Sequence, residues 1–462
     1  MNQLFIKNFS LDSLQKSKLL VGGFIFFLII SAYTIAQELK YSVFAMIIGI
    51  EYIPIAKIMT FVILLPAILL DAWLVDRFKR HQLLMAYTFF FGVCGLIFSF
   101  FLTHNVIGIE NTQVSKYRLF GWLFLIYQEG YAPFLLGIFW SFMNSINSPA
   151  DAAKTYGFTV SCSKIGGLLV AFSAYFFLTN NAEIVSYIKP NTKITLLLIL
   201  ASLALLLVPI FLNAMMKKLD SKVFTGFNTN IKKEKVKKTG IWIGFQLLLK
   251  NRYVFGIFLM IFLGDTLVEV INYQRLLTII KDSTSGNSIP NLANMAAKMY
   301  LQISYMHALG LIISFFLTNS IMRFIGTRFS VFITPVLASF FLLTYFITGF
   351  DFLFAWLYII LKAMTYTINT PIRESLYIVT SKDIQFKAKF TVDAMSLKLA
   401  RSSGHLFNHF NTTTISNLYG ATGNALASNI FFSSLLVTWL VSTYFVSSIY
   451  HKAIKENKVI SG

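Results

Sequence analysis

Lys398, Arg401, His405 and His409 recur along residues 390–410, FTVDAMSLKLARSSGHLFNHF, a stretch that otherwise reads as a membrane-spanning helix. At 100° per residue the four side chains fall within roughly one quarter of the helix circumference. A cation at the centre of a bilayer costs on the order of 2.5–3.5 kcal/mol even on the gentlest scale, so such a stripe must face protein, water or an anion. Other apolar stretches carry companions for it. Asp265, Glu269 and Asn272 follow at i, i+4 and i+7, which is one helical face, and Lys362, Tyr366, Asn369 and Arg373 share a face of another stretch. Lys362 falls near mid-helix, where snorkelling is difficult. Earlier in the chain, Gln37, Glu38 and Lys40 lie roughly 30 Å along the first apolar stretch, so Lys40 is expected to reach the outer surface by snorkelling. Glu129 and Lys164 lie roughly 15 Å and 12 Å deep in theirs.

The deep groups comprise five cations (Lys40, Lys164, Lys362, Lys398, Arg401) and three carboxylates (Glu129, Asp265, Glu269), and adding Glu38 still leaves the cations ahead by one. A water-filled cavity with surplus positive charge in a low-dielectric surround favours a polyanionic substrate. Asp265 and Glu269 are then candidates to hold cations in place while the site is empty or to accept a coupling proton. His405 titrates in the same range as such a proton. Two histidines at i, i+4 without a neighbouring acid make a poor metal site, and neither metal nor cofactor is expected. Each charge also has a structural reading, because buried ion pairs between helices fix their packing.

The elements that position these groups follow from composition. With 56% hydrophobic residues, 13% charged residues and a mean hydropathy of +0.69, the chain is a polytopic membrane protein whose partner is the lipid bilayer. The net charge of +20 sits mostly in short loops, as topology control requires, so nucleic acid is not an expected partner. Cys94 and Cys162 lie inside apolar runs, where a disulfide has little purpose. The first 18 residues lack transit-peptide character and the first apolar run lacks a small-residue cleavage site, so that run is expected to remain as helix 1.

Apolar runs long enough to cross a roughly 30 Å hydrocarbon layer fall at 19–47, 52–75, 82–102, 119–146, 156–179 and 194–216, then at 253–274, 300–320, 329–350, 352–371, 390–411 and 428–450. The expected fold is all-α, with twelve transmembrane helices in two six-helix pseudo-symmetric bundles. The bundles are 1–216 and 241–462, joined by a basic cytoplasmic linker at 217–240. Cations at Lys7, Lys16, Lys18, Lys387, Lys389, Lys452, Lys455 and Lys458 share that face, which places both termini in the cytoplasm. Phe158-Thr159-Val160 opens helix 5 and Phe390-Thr391-Val392 opens helix 11, at about half the chain length apart, and each is followed by a cation, Lys164 or Lys398.

The turn after helix 2 reads Asp76-Arg77-Phe78-Lys79-Arg80 and resembles the Asp-Arg-x-Gly-Arg signature of the major facilitator superfamily, with Lys79 in place of the usual Gly. Asp76, Arg77 and Arg80 are its candidate gating residues. Arg323-Phe324-Ile325-Gly326-Thr327-Arg328 is a degraded copy in the equivalent turn after helix 8.

Further blocks, in order, resemble the non-mitochondrial ATP/ADP translocases of obligate intracellular bacteria and plastids. They are Tyr33-Thr34-Ile35 followed by Lys40; Phe139-Trp140-Ser141-Phe142-Met143-Asn144 with Ala153-Lys154 and Tyr156; Leu267-Val268-Glu269-Val270; and Arg373-Glu374-Ser375-Leu376-Tyr377-Ile378 with the block from Lys389 to Gly404. The resemblance implies nucleotide transport and maps the family's two lysines and two glutamates onto Lys40, Glu129, Glu269 and Arg401. Arg401 keeps the charge but offers a planar fork to phosphate instead of a compact ammonium. Ala36-Gln37-Glu38 and Tyr273-Gln274 depart from the family pattern, which bears on substrate choice and exchange mode.

The sequence therefore points to a secondary transporter of nucleotides, ATP/ADP exchange or related uptake, working by alternating access in a bacterial inner membrane. The alternative is a proton-coupled importer of another organic or inorganic anion. No Gly-x-x-x-x-Gly-Lys-Ser/Thr loop is present, so an ATP-hydrolysing pump or membrane enzyme is not expected.

Overall fold

The computed structural model describes residues 13–147, 149–179, 187–218, 241–284, 291–317, 321, 324–381, 384 and 388–461. Lys7, Lys387 and residues 219–240 of the basic linker lie outside these. The described residues are predominantly helical and hold no strand, only one isolated parallel bridge between Thr380 and Ile460. They fall into two compact units, Met1–Lys232 with Ser283–His307, and Lys233–Asp282 with Ala308–Gly462.

In the first unit, α1 (Ser13–Ile47), α2 (Ile53–Arg77) and α3 (Arg80–Leu102) correspond to the first three apolar runs. Pro54 sits in the first turn of α2, where its missing N–H breaks no intrahelical bond. The fourth run is interrupted. Its first half, α4 (Leu119–Glu129), passes through a π turn at Ala132–Leu136 into α5 (Gly137–Ile146), and Pro133 within that turn removes a donor from the α ladder. α6 (Pro149–Thr179) and α7 (Pro190–Lys218) complete the six. α1 packs along both α6 and α7. At Gly166 the α1 and α6 backbones approach so closely that a Cβ would stand 2.9 Å from the Phe27 carbonyl oxygen.

The segment 283–307, which the sequence assigns to the second bundle, clusters with the first unit. It carries the start of α10 (Leu292–Ile312). The helix begins at 292 and not at 300 because Asn291 caps it, accepting the backbone N–H of Ala293 at 3.1 Å and Asn294 at 3.2 Å. Tyr300 then donates its hydroxyl to the Ile35 carbonyl at 2.8 Å.

The second unit contains α8 (Ile241–Lys250) and α9 (Arg252–Thr284), with Asn251 capping α9 through Tyr253 and Val254. α9 runs ten residues past the apolar limit at 274 because its distal part is amphipathic and half-buried. α11 (Gly326–Ser330) and α12 (Ile333–Thr348) form the ninth run. The tenth is again interrupted, α13 (Phe352–Met364) passing through a π turn at Thr365–Asn369 into α14 (Thr370–Tyr377). α15 (Lys389–Phe410) and α16 (Ser416–Lys455) meet through a π turn and a kink at Gly420, whose φ of 65° is open to glycine at little cost.

Among the described residues, eight segments are long and apolar enough to cross a membrane by length and composition. One of them, Met395–Lys455, joins the eleventh and twelfth runs, while the second, fourth and eighth runs are also helical but fall outside that set. In each of the twelve apolar runs the described residues are therefore predominantly helical.

The turn after α2 shows why Lys79 is tolerated where glycine is usual. Lys79 has φ −67°, an ordinary value, and its backbone N–H donates to Gln82 Oε1 at 3.3 Å as α3 begins. In the second unit's copy of the turn, Gly326 has φ +74°, in the left-handed region.

Candidate functional site

Each unit builds its own charged cluster. In the first, Lys40 on α1 meets Glu129 at the end of α4, with Nζ 2.6 Å from Oε1. The same oxygen receives Lys57 from α2. Lys40 also donates to Gln37 Oε1 at 2.8 Å, one turn back on α1. The two lysine side chains are 3% and 9% exposed and the glutamate 18%. Both ammonium groups stand over the Tyr41 ring, at 4.9 and 4.7 Å from its centroid. Lys40 thus turns inward and does not snorkel, because Glu129 and Gln37 supply what the outer surface otherwise would.

Adjacent Gln128 is buried, and neither of its amide atoms has a hydrogen-bond partner. Lys164 on α6 is half-buried and lies within electrostatic reach of His307 on α10. The His307 ring occupies the space over Gly167 that any Cβ there would take.

In the second unit α9 and α15 cross at Gly404, where an added Cβ would meet the Glu269 Cβ at 3.0 Å and the Thr266 carbonyl at 3.2 Å. This approach places Glu269 between two partners on α15. Its Oε1 is 3.6 Å from Arg401 Nε and its Oε2 is 3.6 Å from His405 Nε2. Arg401 is 54% exposed, whereas Glu269 and His405 are buried.

One turn earlier on α9, Asp265 interacts electrostatically with Lys362, Arg401 and Arg373. These four charged residues line a cavity of about 160 Å³ within this unit, together with Thr334, Asn369 and Trp439 among others. Three cations face one carboxylate, a surplus of two positive charges. The π turn at Thr365–Asn369 aims Asn369 at this space, where it accepts the Thr334 hydroxyl at 2.6 Å. Arg373 Nη1 is also 3.6 Å from Asp393 Oδ1.

The clusters gather most of the sequence candidates but not all. Lys398 is exposed on α15, outside the cavity lining, and His409 is half-buried farther along the same helix. In the turn after α2, Arg77 is exposed and Arg80 half-buried, while the side chain of Asp76 lies outside the described residues, as does that of Tyr366.

Three buried or partly buried basic groups went unread. Lys57 is the lone cation in the first half of a long apolar run, which is itself a signal. Arg275 is fully buried, donates Nη1 to Asn272 Oδ1 at 3.0 Å and stands over Tyr358 at 4.4 Å; it escaped notice because the seventh run was ended at 274. His307 offers no sequence signal beyond its place in an apolar run.

Apolar helices long enough to cross a membrane, with buried charges between them, define a multi-pass membrane protein of the major facilitator fold. Solved structures share it: a bacterial homologue of the iron transporter ferroportin in an inward-facing state (14% identity, 96% of this chain and 99% of that one, TM-score 0.58); a D-xylose–proton symporter (14%, 92% and 97%, 0.59); and the nucleoside transporter NupG (12%, 93% and 98%, 0.53). At such identities the likeness is one of fold. No curated protein sequence matches the chain. A family model described as TLC ATP/ADP transporter matches residues 3–450, and the chain belongs to that family. It is a secondary transporter of nucleotides.

Proposed function

We propose that the protein exchanges adenine nucleotides, ATP against ADP, across a bacterial inner membrane by alternating access, with both termini in the cytoplasm. The observation that carries this reading is the cavity in the second unit, where Lys362, Arg373 and Arg401 outnumber Asp265. Confined, partly desolvated cations at fixed positions favour phosphate oxygens, and the Arg401 fork can accept two of them. Lys164 is the corresponding cation of the first unit, where Glu129 holds Lys40 as a helix anchor, and Lys398 extends the positive stripe of α15. Asp265 and Glu269 supply counter-charge while no anion is bound. The turn carrying Asp76, Arg77 and Arg80 acts as a gate on the cytoplasmic side.

A second reading, proton-coupled import of an anion, is favoured by one contact. Glu269 and His405 form a buried acid–imidazole pair beside Arg401, which is an arrangement able to take up and release a proton. Proteoliposome uptake of labelled ATP, ADP, other nucleotides and phosphate, with defined internal contents and pH, separates the two. Exchange requires internal nucleotide and no pH gradient. Uptake driven by a pH gradient into nucleotide-free vesicles supports the second reading, and failure to take up any nucleotide overturns the first.

A further inference from the structure

Residues 456–461, beyond α16, turn back onto the unit that carries the cavity. The turn is made at Asn457, whose φ of 47° is left-handed. Its N–H reaches the Ile454 carbonyl at 3.2 Å, and the Lys458 N–H reaches the Ala453 carbonyl at 2.9 Å. That pair of bonds is a Schellman motif, and asparagine is one of the few residues besides glycine that takes its left-handed position readily. The reversal delivers Ile460 to the segment after α14. Ile460 donates its N–H to the Val379 carbonyl and accepts the Ser381 N–H, both at 2.9 Å, which makes the parallel bridge with Thr380.

One residue on, the Ser461 carbonyl accepts Asn251 Nδ2 at 2.9 Å. Asn251 thereby uses both ends of its amide, the oxygen to cap α9 and the nitrogen to hold the returning chain. Tyr253, in the first turn of α9, donates its hydroxyl to the Leu376 carbonyl of α14 at 2.8 Å. The start of α9, the end of α14 and the chain beyond α16 are therefore tied at one place.

The returning chain is lightly held. Glu456, Asn457, Lys458, Val459 and Ser461 are exposed and Ile460 is half-buried, so the tie depends on the hydrogen bonds to Val379, Ser381 and Asn251 more than on apolar burial. Segments of that kind open locally well below the free energy of global unfolding. The helices it joins are nevertheless central, since α9 brings Asp265 and α14 brings Arg373 to the cavity. At about 160 Å³ that space is below the roughly 300–1,000 Å³ that encloses a drug-sized ligand, so its walls have to part to admit more than one end of a nucleotide.

We propose that residues 456–461 are a detachable strap that acts as a brake on transport. Attached, it holds the ends of α9 and α14 together; released, it lets them part during the transport cycle. Asn251, Val379 and Ser381 do not line the cavity, so the strap acts on the rate of the cycle and not on affinity. The inference holds for nucleotide exchange and for proton-coupled import alike.

The test uses full-chain variants in proteoliposomes. Ile460→Pro removes the N–H that the Val379 carbonyl accepts, and Asn251→Asp keeps an oxygen to cap α9 while removing the donor to Ser461. Asn457→Gly keeps the left-handed turn and serves as the control. Loss of one such bond is expected to raise the maximal rate of labelled ADP uptake about threefold or more in the first two variants. Their KM should stay within about twofold of wild type, with the thermal unfolding midpoint retained, and Asn457→Gly should keep the wild-type rate. An unchanged or lowered maximal rate in Ile460→Pro or Asn251→Asp, whichever assembles, overturns the brake, as does an equal gain in Asn457→Gly.

A wild type that takes up no ADP overturns the proposed exchange instead, and hydrogen exchange then decides the strap. Faster exchange of the Ser381 amide and of the first half of α9 in both variants supports it, and exchange equal to wild type refutes it.

Discussion

Glu129 and Glu269 occupy the two halves of one chain, and the first is clamped while the second is held loosely. Glu129 takes two ammonium groups on a single oxygen, Lys40 at 2.6 Å and Lys57 beside it, and neither lysine is more than 9% exposed. Glu269 divides its oxygens between Arg401 and His405, each at 3.6 Å, and Arg401 is 54% exposed. Attraction falls with distance and with effective dielectric, so the first cluster is much the tighter of the two. Its cations are largely committed to tying α1, α2 and α4 together. Those of the second unit border a cavity.

The internal repeat gives this contrast a second aspect. The 232-residue offset between Phe158-Thr159-Val160 and Phe390-Thr391-Val392 carries Gln37 onto Glu269 and carries Glu129 to within one residue of Lys362. The first half thus places its cation on the first helix and its carboxylate on the fourth, whereas the second half places carboxylates on the seventh and a cation on the tenth. The same pair of helices carries charge in both halves, but not at the same positions, since the offset brings Lys40 onto Asn272 and Glu129 onto Leu361.

Removing the clamp should have the largest effect. Glu129→Gln removes the carboxylate that the buried Lys40 and Lys57 share, and is expected to destabilise the protein by about 3–5 kcal/mol, read as thermal unfolding in detergent. Adding Lys57→Met should restore most of that loss. Equal destabilisation by Glu269→Gln would erase the distinction between the clusters. Arg401→Ala comes next, with uptake falling on the order of tenfold or more while the unfolding midpoint stays close to wild type, since half of that side chain is exposed. Arg401→Lys sharpens the same point: charge survives and the fork is lost, so uptake should fall only about severalfold.

The smallest effects concern the two turns. Gly326→Ala forces a Cβ into a left-handed conformation and should cost about 1 kcal/mol, whereas Lys79→Gly, at an ordinary φ, should change stability by a few tenths, roughly. Unfolding midpoints of the two variants check this pair.

Much of this was legible in the chain. Apolar length placed its twelve runs on described helix, and the cost of burying charge singled out Lys40, Glu129, Asp265, Glu269, Lys362 and Arg401, which the structure distributes over its two clusters. Partnering was less visible. Hydropathy ranks each residue alone, so it assigned Lys40 to the surface and passed over Lys57, although the two share one oxygen of Glu129. The π turns at Ala132–Leu136 and Thr365–Asn369 shift helical register by backbone geometry that no side-chain period announces. The start of α10, set by the asparagine cap at Asn291, lay outside its apolar window, and Arg275 lay in the amphipathic distal part of α9 beyond residue 274, which is why both were missed.

The most direct test of the division between the clusters is the ADP concentration dependence of uptake by Arg401→Ala beside the double variant Glu129→Gln with Lys57→Met. If the exposed cluster of the second unit contacts phosphate and the buried cluster of the first holds helices together, KM rises on the order of tenfold in Arg401→Ala and stays within about twofold of wild type in the double variant. An unchanged KM in Arg401→Ala with a raised one in the double variant would contradict that division.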